Sequence, residues 1–343
     1  MADIFDDTRL DDEAVLARAD APLRWLAEAG ARVRVEAGAA AEALDDLEDD
    51  NNPRAIVVAG PDARLLRAVL EPGCPVPFVA WPGPGLPGWA GPLDLVVVLA
   101  PAGGDAHTAT AVREAVRRGC SVVTACPPHS VIAEHALGRH SHLLPTQTED
   151  SLAVAVVMLQ ALQRLGVGPE VDAERVAGVL DQVAVACSPH RDLSTNPAKD
   201  LSLFLADTAP LVWGGSVLAA RAARRVAEAI RRTTGRPAIA ADSGHLLPVL
   251  EATAPRDVFA DPVDDRRADT RPGLLVLDDG AEEPSIRVQR GHLHAVAESH
   301  GARVQTIDAW EGPEMARYAA LLTTGTYAAV YLGIGLGRPA DAT

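Results

Sequence analysis

The chain has 343 residues, which is enough for about two domains of ordinary size. Its net charge of −16 argues against nucleic acid and anionic membranes as partners, so any phosphate site must be local. The cysteines form no CxxC pair, and no apolar run is long enough to cross a membrane. The acidic N-terminus lacks the apolar stretch of a signal peptide, so a cytoplasmic protein is expected.

Short apolar runs alternate with helical segments in the first half of the chain. The runs are rich in valine without polar alternation, which indicates strands buried on both faces of a parallel sheet. This βαβ pattern predicts a doubly wound domain over residues 1–150, preceded by helices between 12 and 48, of which 20–30 should pack on that domain. Strands are predicted at Ala55–Val58, Pro77–Trp81, Leu93–Leu99, Ser121–Thr124 and Ser141–Leu144, and helices near 61–71, 106–118 and 128–137.

Residues 151–206 have a different, wholly helical pattern. Two successive helices are predicted, with a break at Gly166–Pro169, and a third begins near Asn196. We expect this stretch to be a helical bridge between two domains.

The alternating pattern then returns over 207–343. A second α/β domain of similar plan is therefore expected there. Strands are predicted at Pro210–Trp213, Pro237–Ala240, Asp257–Ala260, Gly273–Leu277 and Arg303–Ile307, and helices at 217–233, 287–300 and 312–332.

A glycine turn follows the first strand of this second domain. Gly214, Gly215 and Ser216 stand between a buried strand and a helix, whose first-turn amides form a candidate anion site. A tight turn without a ligand is the alternative. Arg221 and Glu228 are seven residues apart and share one face of that helix, so they could hold an anion and move a proton. A solvated polar face is the alternative for this pair.

Two further segments hold candidate ligand groups. His245 follows the next predicted strand, at the end where doubly wound sheets bind ligands, although a surface histidine fits equally well. Residues 100–108, APAGGDAHT, have the strand–turn–helix form of a phosphate loop, in which Gly103, Gly104 and Thr108 are the candidate ligand groups. Asp105 in that loop would repel a phosphate.

These segments together resemble the SIS (sugar isomerase) family, specifically the bifunctional phosphoglucose/phosphomannose isomerases. The stretch NPAKDLSLFLADTAPLVWGG is similar to the family's Asn-x-Ala-Lys helix and glycine turn, and residues 316–342 resemble its closing helix. Arg221, Glu228 and His245 fall on the Arg, Glu and His of family motifs. The resemblance covers residues 50–340 and implies an α/β fold of two tandem SIS-type doubly wound parallel-sheet domains (αβα sandwiches) joined by helices.

The resemblance also implies a reaction. Aldose–ketose isomerisation of a hexose 6-phosphate, of the glucose-6-phosphate/mannose-6-phosphate type, would use Glu228 as the base that carries a proton between C1 and C2. His245 would open the sugar ring and Arg221 would stabilise the negative charge. No metal or nucleotide cofactor is implied; the expected partners are a small-molecule sugar phosphate and a second copy of the chain in a homodimer.

The first phosphate loop departs from the family's Ser-Tyr-Ser-Gly-Asn-Thr-Glu-Glu-Thr. Both serines and the internal threonine are missing, Asp105 replaces a hydroxyl, and Asp62 adds an acid in the other first-domain loop. Losing three or four bonds of about 1.5–3 kcal/mol each would weaken phosphate binding by orders of magnitude. Three hypotheses stay open: an isomerase with weak or shifted activity, a non-catalytic SIS protein that binds a sugar phosphate or regulates a partner, and a structural scaffold.

Overall fold

Nine strands form two sheets in the computed structural model, which describes residues 4–47, 52–103, 105–253, 271–308 and 310–338. The first sheet holds β1 (Ala55–Ala59), β2 (Phe78–Trp81), β3 (Asp94–Leu99), β4 (Ser121–Cys126) and β5 (Ser141–Pro145). The second sheet holds β6 (Ala209–Gly214), β7 (Ile239–Ala240), β8 (Pro272–Asp278) and β9 (Arg303–Asp308).

The strand orders are β2-β1-β3-β4-β5 and β7-β6-β8-β9, and the neighbouring strands pair in parallel. The prediction of an α/β protein with two parallel sheets is confirmed. Strand β7 has only two residues, fewer than expected, and the strand predicted at Asp257–Ala260 lies outside the described residues.

Helices connect the strands. Their bounds are α1 (Glu13–Arg18), α2 (Asp20–Ala27), α3 (Ala29–Asp45), α4 (Ala63–Leu70), α5 (Ala106–Arg118), α6 (Val131–His135), α7 (Ser151–Arg164), α8 (Ala173–Ala186), α9 (Pro197–Ala206), α10 (Val217–Thr234), α11 (Ser243–Glu251), α12 (Pro284–Ser299) and α13 (Glu314–Gly335), with short 3-10 helices at Asp7–Leu10 and Leu193–Thr195. Helices α5 and α10 each begin at a side-chain cap and end at a left-handed glycine, Gly119 and Gly235.

The chain divides into two compact units. The first-sheet unit comprises residues 29–178 and 313–315, and the second-sheet unit comprises 1–28, 179–312 and 316–343. The stretch predicted to bridge the domains is helical, but this division assigns 151–178 to one unit and 179–206 to the other.

Residues 1–28 belong to the second-sheet unit, which differs from the expectation that 20–30 would pack on the N-terminal domain. Two bonds explain this placement. The backbone N–H of Asp6 donates to the carbonyl of Gly335 at 3.0 Å, and Lys199 Nζ donates to Asp11 Oδ1 at 2.7 Å. The ammonium of Lys199 is fully buried and also donates to two backbone carbonyls, so it holds the N-terminal segment against the start of α9.

Small aliphatic side chains build the cores, as the low aromatic content requires. In the first sheet every residue of β1 and β3 is buried. In the second sheet Trp213 is 1% exposed and packs in a cluster with residues of α11 and α12. Burying each valine or leucine of the central strands contributes about 1.5–3 kcal/mol to folding, so these strands fix the positions of the loops at their ends.

Candidate functional site

The glycine turn lies where the strand order of the second sheet reverses. From the end of β6 the chain passes through α10 to β7 on one side, whereas β8 pairs with β6 on the other side. Open α/β sheets bind ligands in the crevice outside the carboxyl ends of strands at such a switch point. The topology therefore places Gly214, Gly215 and Ser216 where a ligand would be expected.

Packing explains both glycines of this turn without a ligand. A Cβ added to Gly214 would lie 2.2 Å from the backbone carbon of Ala219, within the first turn of α10. A Cβ added to Gly215 would lie 2.4 Å from Cγ2 of Ile286 and 2.8 Å from the ring of Trp213. The turn is glycine-rich because helix and side chains approach its backbone closely, as the tight-turn alternative supposed.

Internal partners occupy the hydroxyl of Ser216. Its Oγ accepts from the backbone N–H of Ala219 at 3.0 Å, which caps α10, and donates to Oδ2 of Asp279 at 2.5 Å. Asp279 is buried, and its carbonyl accepts from the guanidinium of Arg317 at 2.6 Å. The first turn of α10 thus faces a carboxylate of the protein itself, which follows the end of β8.

A cluster of charged residues lies further along α10. Arg225 Nη1 donates to Glu228 Oε2 at 3.3 Å, and both side chains are partly exposed. Burial raises the pKa of Tyr318 to about 12; Arg225 opposes this shift, Glu228 adds to it, and Arg221 opposes it more weakly. A half-exposed carboxylate beside a guanidinium group can accept a proton while that neighbour stabilises an anion.

Glu228 lies far from the glycine turn along α10, and His245 lies on a different helix, α11. Glu228 is twelve residues beyond Ser216, which places it about 18 Å along the axis of α10 from the glycine turn. His245 is exposed in the first turn of α11, where its backbone N–H donates to the carbonyl of Asp242 at 2.9 Å. The helix begins at Ser243, so His245 is helical rather than in a loop. The catalytic roles of Arg221, Glu228 and His245 stay predictions.

The loop at the end of β3 is closed by Asp105. Its carboxylate accepts from the N–H of His107 at 3.1 Å, from the N–H of Thr108 at 3.0 Å and from the Thr108 hydroxyl. Partial burial alone would raise the pKa of Asp105, but the Thr108 hydroxyl and these amides outweigh it, so the pKa lies below its usual value. The carboxylate stays ionised at neutral pH and occupies the donors that a phosphate would need.

The other predicted ligand groups of this loop also have structural explanations. Thr108 is buried, and its hydroxyl points to Asp105. Gly103 has φ +67°, and a Cβ there would lie 2.6 Å from Cβ of Ser130, so the position requires glycine. Gly104 lies outside the described residues. The substrate-binding roles of Gly103, Gly104, Thr108 and the Gly214–Ser216 turn stay predictions.

Internal carboxylates also occupy other strand ends of the first sheet. Buried Glu36 accepts from the N–H of Gln147 at 3.0 Å and of Thr148 at 2.5 Å, beyond the end of β5. Asp150 caps α7 and pairs with Arg32 at 2.7 Å. Asp62, near the end of β1, accepts from a serine hydroxyl at the start of α7 at 2.8 Å. Glu36 and Asp150 thus occupy backbone donors with negative charge from the chain itself, whereas Asp62 binds a side-chain hydroxyl.

The sequence predictions missed three residues of this picture. Arg225 stands three residues before Glu228, so helical spacing could have identified it as a partner. Asp279 and Glu36 bind partners that lie 63 and 111 residues away in the sequence, so no local sequence pattern predicts these contacts. In the part of the chain that the structure describes, no group of three or more His, Cys, Asp or Glu residues is arranged for a metal ion, and no helix is long and apolar enough to span a membrane.

Comparison with known proteins decides the family of the second half. Residues 194–342 match the model of the bacterial phospho-glucose isomerase C-terminal SIS domain. This part of the chain is similar to a SIS domain. The predicted relationship to the SIS family is thus confirmed, and the matched segment contains Arg221, Glu228 and His245. No curated protein sequence matches the chain significantly.

Solved structures with SIS-type folds extend the likeness over both units. Tagatose-6-phosphate ketose/aldose isomerase from Escherichia coli is 14% identical, with a TM-score of 0.65 over 96% of this chain and 95% of that chain. The C-terminal domain of glucosamine-fructose-6-phosphate aminotransferase from Francisella tularensis is 12% identical, with a TM-score of 0.61 over 95% of this chain and 97% of that chain. At these identities the likeness shows the fold, which confirms the predicted SIS-type architecture.

Proposed function

We propose that the chain is an aldose–ketose isomerase of the phosphosugar type, with a hexose 6-phosphate of the glucose/mannose class as substrate. The observation that carries this proposal is the carboxylate of Glu228. It lies within the segment that matches the SIS domain, is partly exposed, and has Arg225 at 3.3 Å. A carboxylate base beside a fixed cation is the pair that proton transfer through an enediolate requires.

The proposed chemistry moves one proton and changes no oxidation state overall. His245 would help to open the sugar ring. Glu228 would take the proton from C2 of the open-chain aldose, breaking that C–H bond and giving an enediolate. Arg225, with Arg221 on the same helix, would stabilise the negative charge. Glu228 would then return the proton to C1, while the O2 proton passes to O1, and the ketose forms.

The test is turnover by the purified full chain. Fructose 6-phosphate is offered at millimolar concentration, and glucose 6-phosphate and mannose 6-phosphate are measured with coupled enzymes; tagatose 6-phosphate is offered in parallel because the E. coli relative is named for it. Glu228→Gln should abolish turnover, since the amide cannot accept the proton. Glu298→Gln, an exposed glutamate on α12, is the matched control and should keep it. Turnover that survives Glu228→Gln would contradict the proposal.

A second candidate, a non-catalytic SIS protein that binds a sugar phosphate or regulates a partner, is favoured by one observation. The three hydrogen bonds to Asp105 close the first phosphate loop. Binding of fructose 6-phosphate in calorimetry, without turnover above that of Glu228→Gln, would select this candidate over the isomerase.

We also propose that the protein is a cytoplasmic homodimer, which the SIS relationship supports. Light scattering on the purified chain tests the assembly. A mass of about one chain, 35.8 kDa, at micromolar concentration would contradict the dimer.

A further inference from the structure

A cavity of about 380 Å³ lies in the second-sheet unit, apart from the candidate catalytic helix. It is formed by the start of α9, the carboxyl end of β9 and a residue of α13. None of the residues proposed above for catalysis or phosphate binding lines it. Its volume lies in the range of small-molecule sites, and it opens at a carboxyl strand end, where α/β sheets bind ligands.

The floor of the cavity carries no charge at neutral pH. Leu201, Ile307, Thr324 and Cys187 are all buried there. Burial raises the pKa of Cys187 to about 12, so its thiol stays protonated and is neither a nucleophile nor an anion. An apolar floor with one hydroxyl suits the carbon framework of a small ligand and leaves the polar recognition to the rim.

The rim is acidic and carries an aromatic ring. Asp200, Asp308, Gln305 and the partly buried Trp310 line it. Gln305 Nε2 donates to Asp200 Oδ2 at 3.0 Å, which orients that carboxylate and uses one of its roughly four acceptor positions. Among the described residues that line the cavity, none is Arg, Lys or His. A phosphate would meet two carboxylates without a countercharge.

The two rim carboxylates and the indole ring together indicate which class of ligand would bind. Two carboxylates attract a protonated amine, and an indole face within about 6 Å of that amine adds a cation–π attraction. The amide of Gln305 and the hydroxyls of Thr306 and Thr324 offer hydrogen bonds to a polyol. We propose that this cavity binds a protonated amino sugar. The site is distinct from the isomerase site, so the inference goes beyond the proposed function and does not depend on it.

Further space for a ligand lies beyond Trp310. An adjoining cavity of about 340 Å³ is also lined by Trp310, together with Asp181, Val185 and Arg191. A ligand larger than one ring could therefore extend past the indole, while its amine stays at the acidic rim.

The experiment compares three probes on the full chain at neutral pH, by saturation-transfer NMR and calorimetry. D-glucosamine should bind at least about fivefold more tightly than D-glucose, because it adds an amine to a partly exposed acidic rim. Glucosamine 6-phosphate should bind more weakly than glucosamine, because its phosphate meets the same carboxylates. Asp308→Asn should weaken glucosamine binding about fivefold and leave glucose binding unchanged. Trp310→Leu should also weaken glucosamine binding, because it keeps an apolar side chain but removes the aromatic face.

Asp7→Asn, an equal change of charge at an exposed site of the same unit, is the control and should have no effect. Circular dichroism checks that each variant is folded. Equal affinities for glucosamine and glucose, an unchanged affinity in folded Asp308→Asn, or no binding of any probe at millimolar concentration would each overturn the proposal. Turnover of fructose 6-phosphate should be unaffected by Asp308→Asn, which separates this result from the test of Glu228.

Discussion

Replacing Asp105 by serine should open the first phosphate loop. In the native chain the carboxylate accepts three hydrogen bonds at the start of α5 and presents one full negative charge there. Serine is about as good a helix cap as aspartate, so the helix should lose no more than about 1 kcal/mol. The phosphate of a sugar would then find the amides of the first turn without a carboxylate beside them.

The expected gain follows from the charge that is removed. Two unit charges 4 Å apart near a protein surface interact by about 4 kcal/mol, and screening by water and salt leaves roughly 1–3 kcal/mol of that at a partly exposed loop. Removing this repulsion should therefore tighten the binding of fructose 6-phosphate about tenfold to a hundredfold. Calorimetry on the wild type and on Asp105→Ser measures the change directly.

Two controls separate this effect from helix capping. Asp172 caps α8 through amides at 2.9 and 3.2 Å in the same way, so Asp172→Ser changes a cap without touching the loop and should leave binding unchanged. Asp105→Asn removes the charge and keeps an acceptor, so its affinity should lie between wild type and Asp105→Ser. A folded Asp105→Ser protein whose affinity for fructose 6-phosphate equals that of wild type would refute the reasoning.

The same residue predicts a pH dependence of stability. The pKa of Asp105 is lower in the folded protein than its ordinary value, so its ionised form contributes stability above the unfolded pKa of about 3.9. This contribution is lost as the pH falls from there through the lower, folded pKa. Asp105→Ser lacks it, so the difference in free energy of unfolding between wild type and variant should shrink on acidification below about pH 4.

Two further substitutions test the packing that the structure shows. Gly214→Ala should lower the free energy of unfolding, measured in urea, by about 2–3 kcal/mol, because its Cβ would meet the backbone of α10. Gly244→Ala is the control: a Cβ at Gly244 has no atom within 4 Å, so this change should be neutral or slightly stabilising. Lys199→Met should lower the free energy of unfolding by about 3 kcal/mol, since a buried ammonium with three partners is lost. Arg24→Met removes an exposed ion pair and should lower it by less than about 1 kcal/mol. Equal losses in the two variants would contradict the assigned role of Lys199.

Periodicity was sufficient to predict most of the fold. Valine-rich runs without polar alternation fixed the parallel strands, because both faces of such a sheet are covered. Periodicity was less informative about β7, where pairing with β6 stops after Ile239 and Ala240 and α11 begins at Ser243. Propensity alone did not predict that β7 would end so early. The roles of single residues depended on contacts that periodicity does not describe.

The two phosphate-type loops show which contacts a sequence can and cannot disclose. Asp105 binds amides two and three residues ahead, a local capping pattern that the sequence contains in full. Ser216 instead binds Asp279, which is 63 residues away. That pair is explained only by topology: β6 and β8 are parallel neighbours in register, with Gly214 opposite Leu277, so the residues just after the two strands meet.

Strand order is therefore the missing information. Once β8 is known to lie beside β6, an acid at the carboxyl end of β8 is expected near the turn after β6. Asp278, the last residue of β8, and Asp279, which follows it, occupy that place. Asp278 is neutralised by Arg290, which leaves Asp279 for Ser216. The result in both loops is the same: a carboxylate of the chain stands at the helix N-terminus where a phosphate would bind. For this reason the replacement of Asp105, where the partner amides are local, is the cleaner test of whether such carboxylates exclude the phosphate.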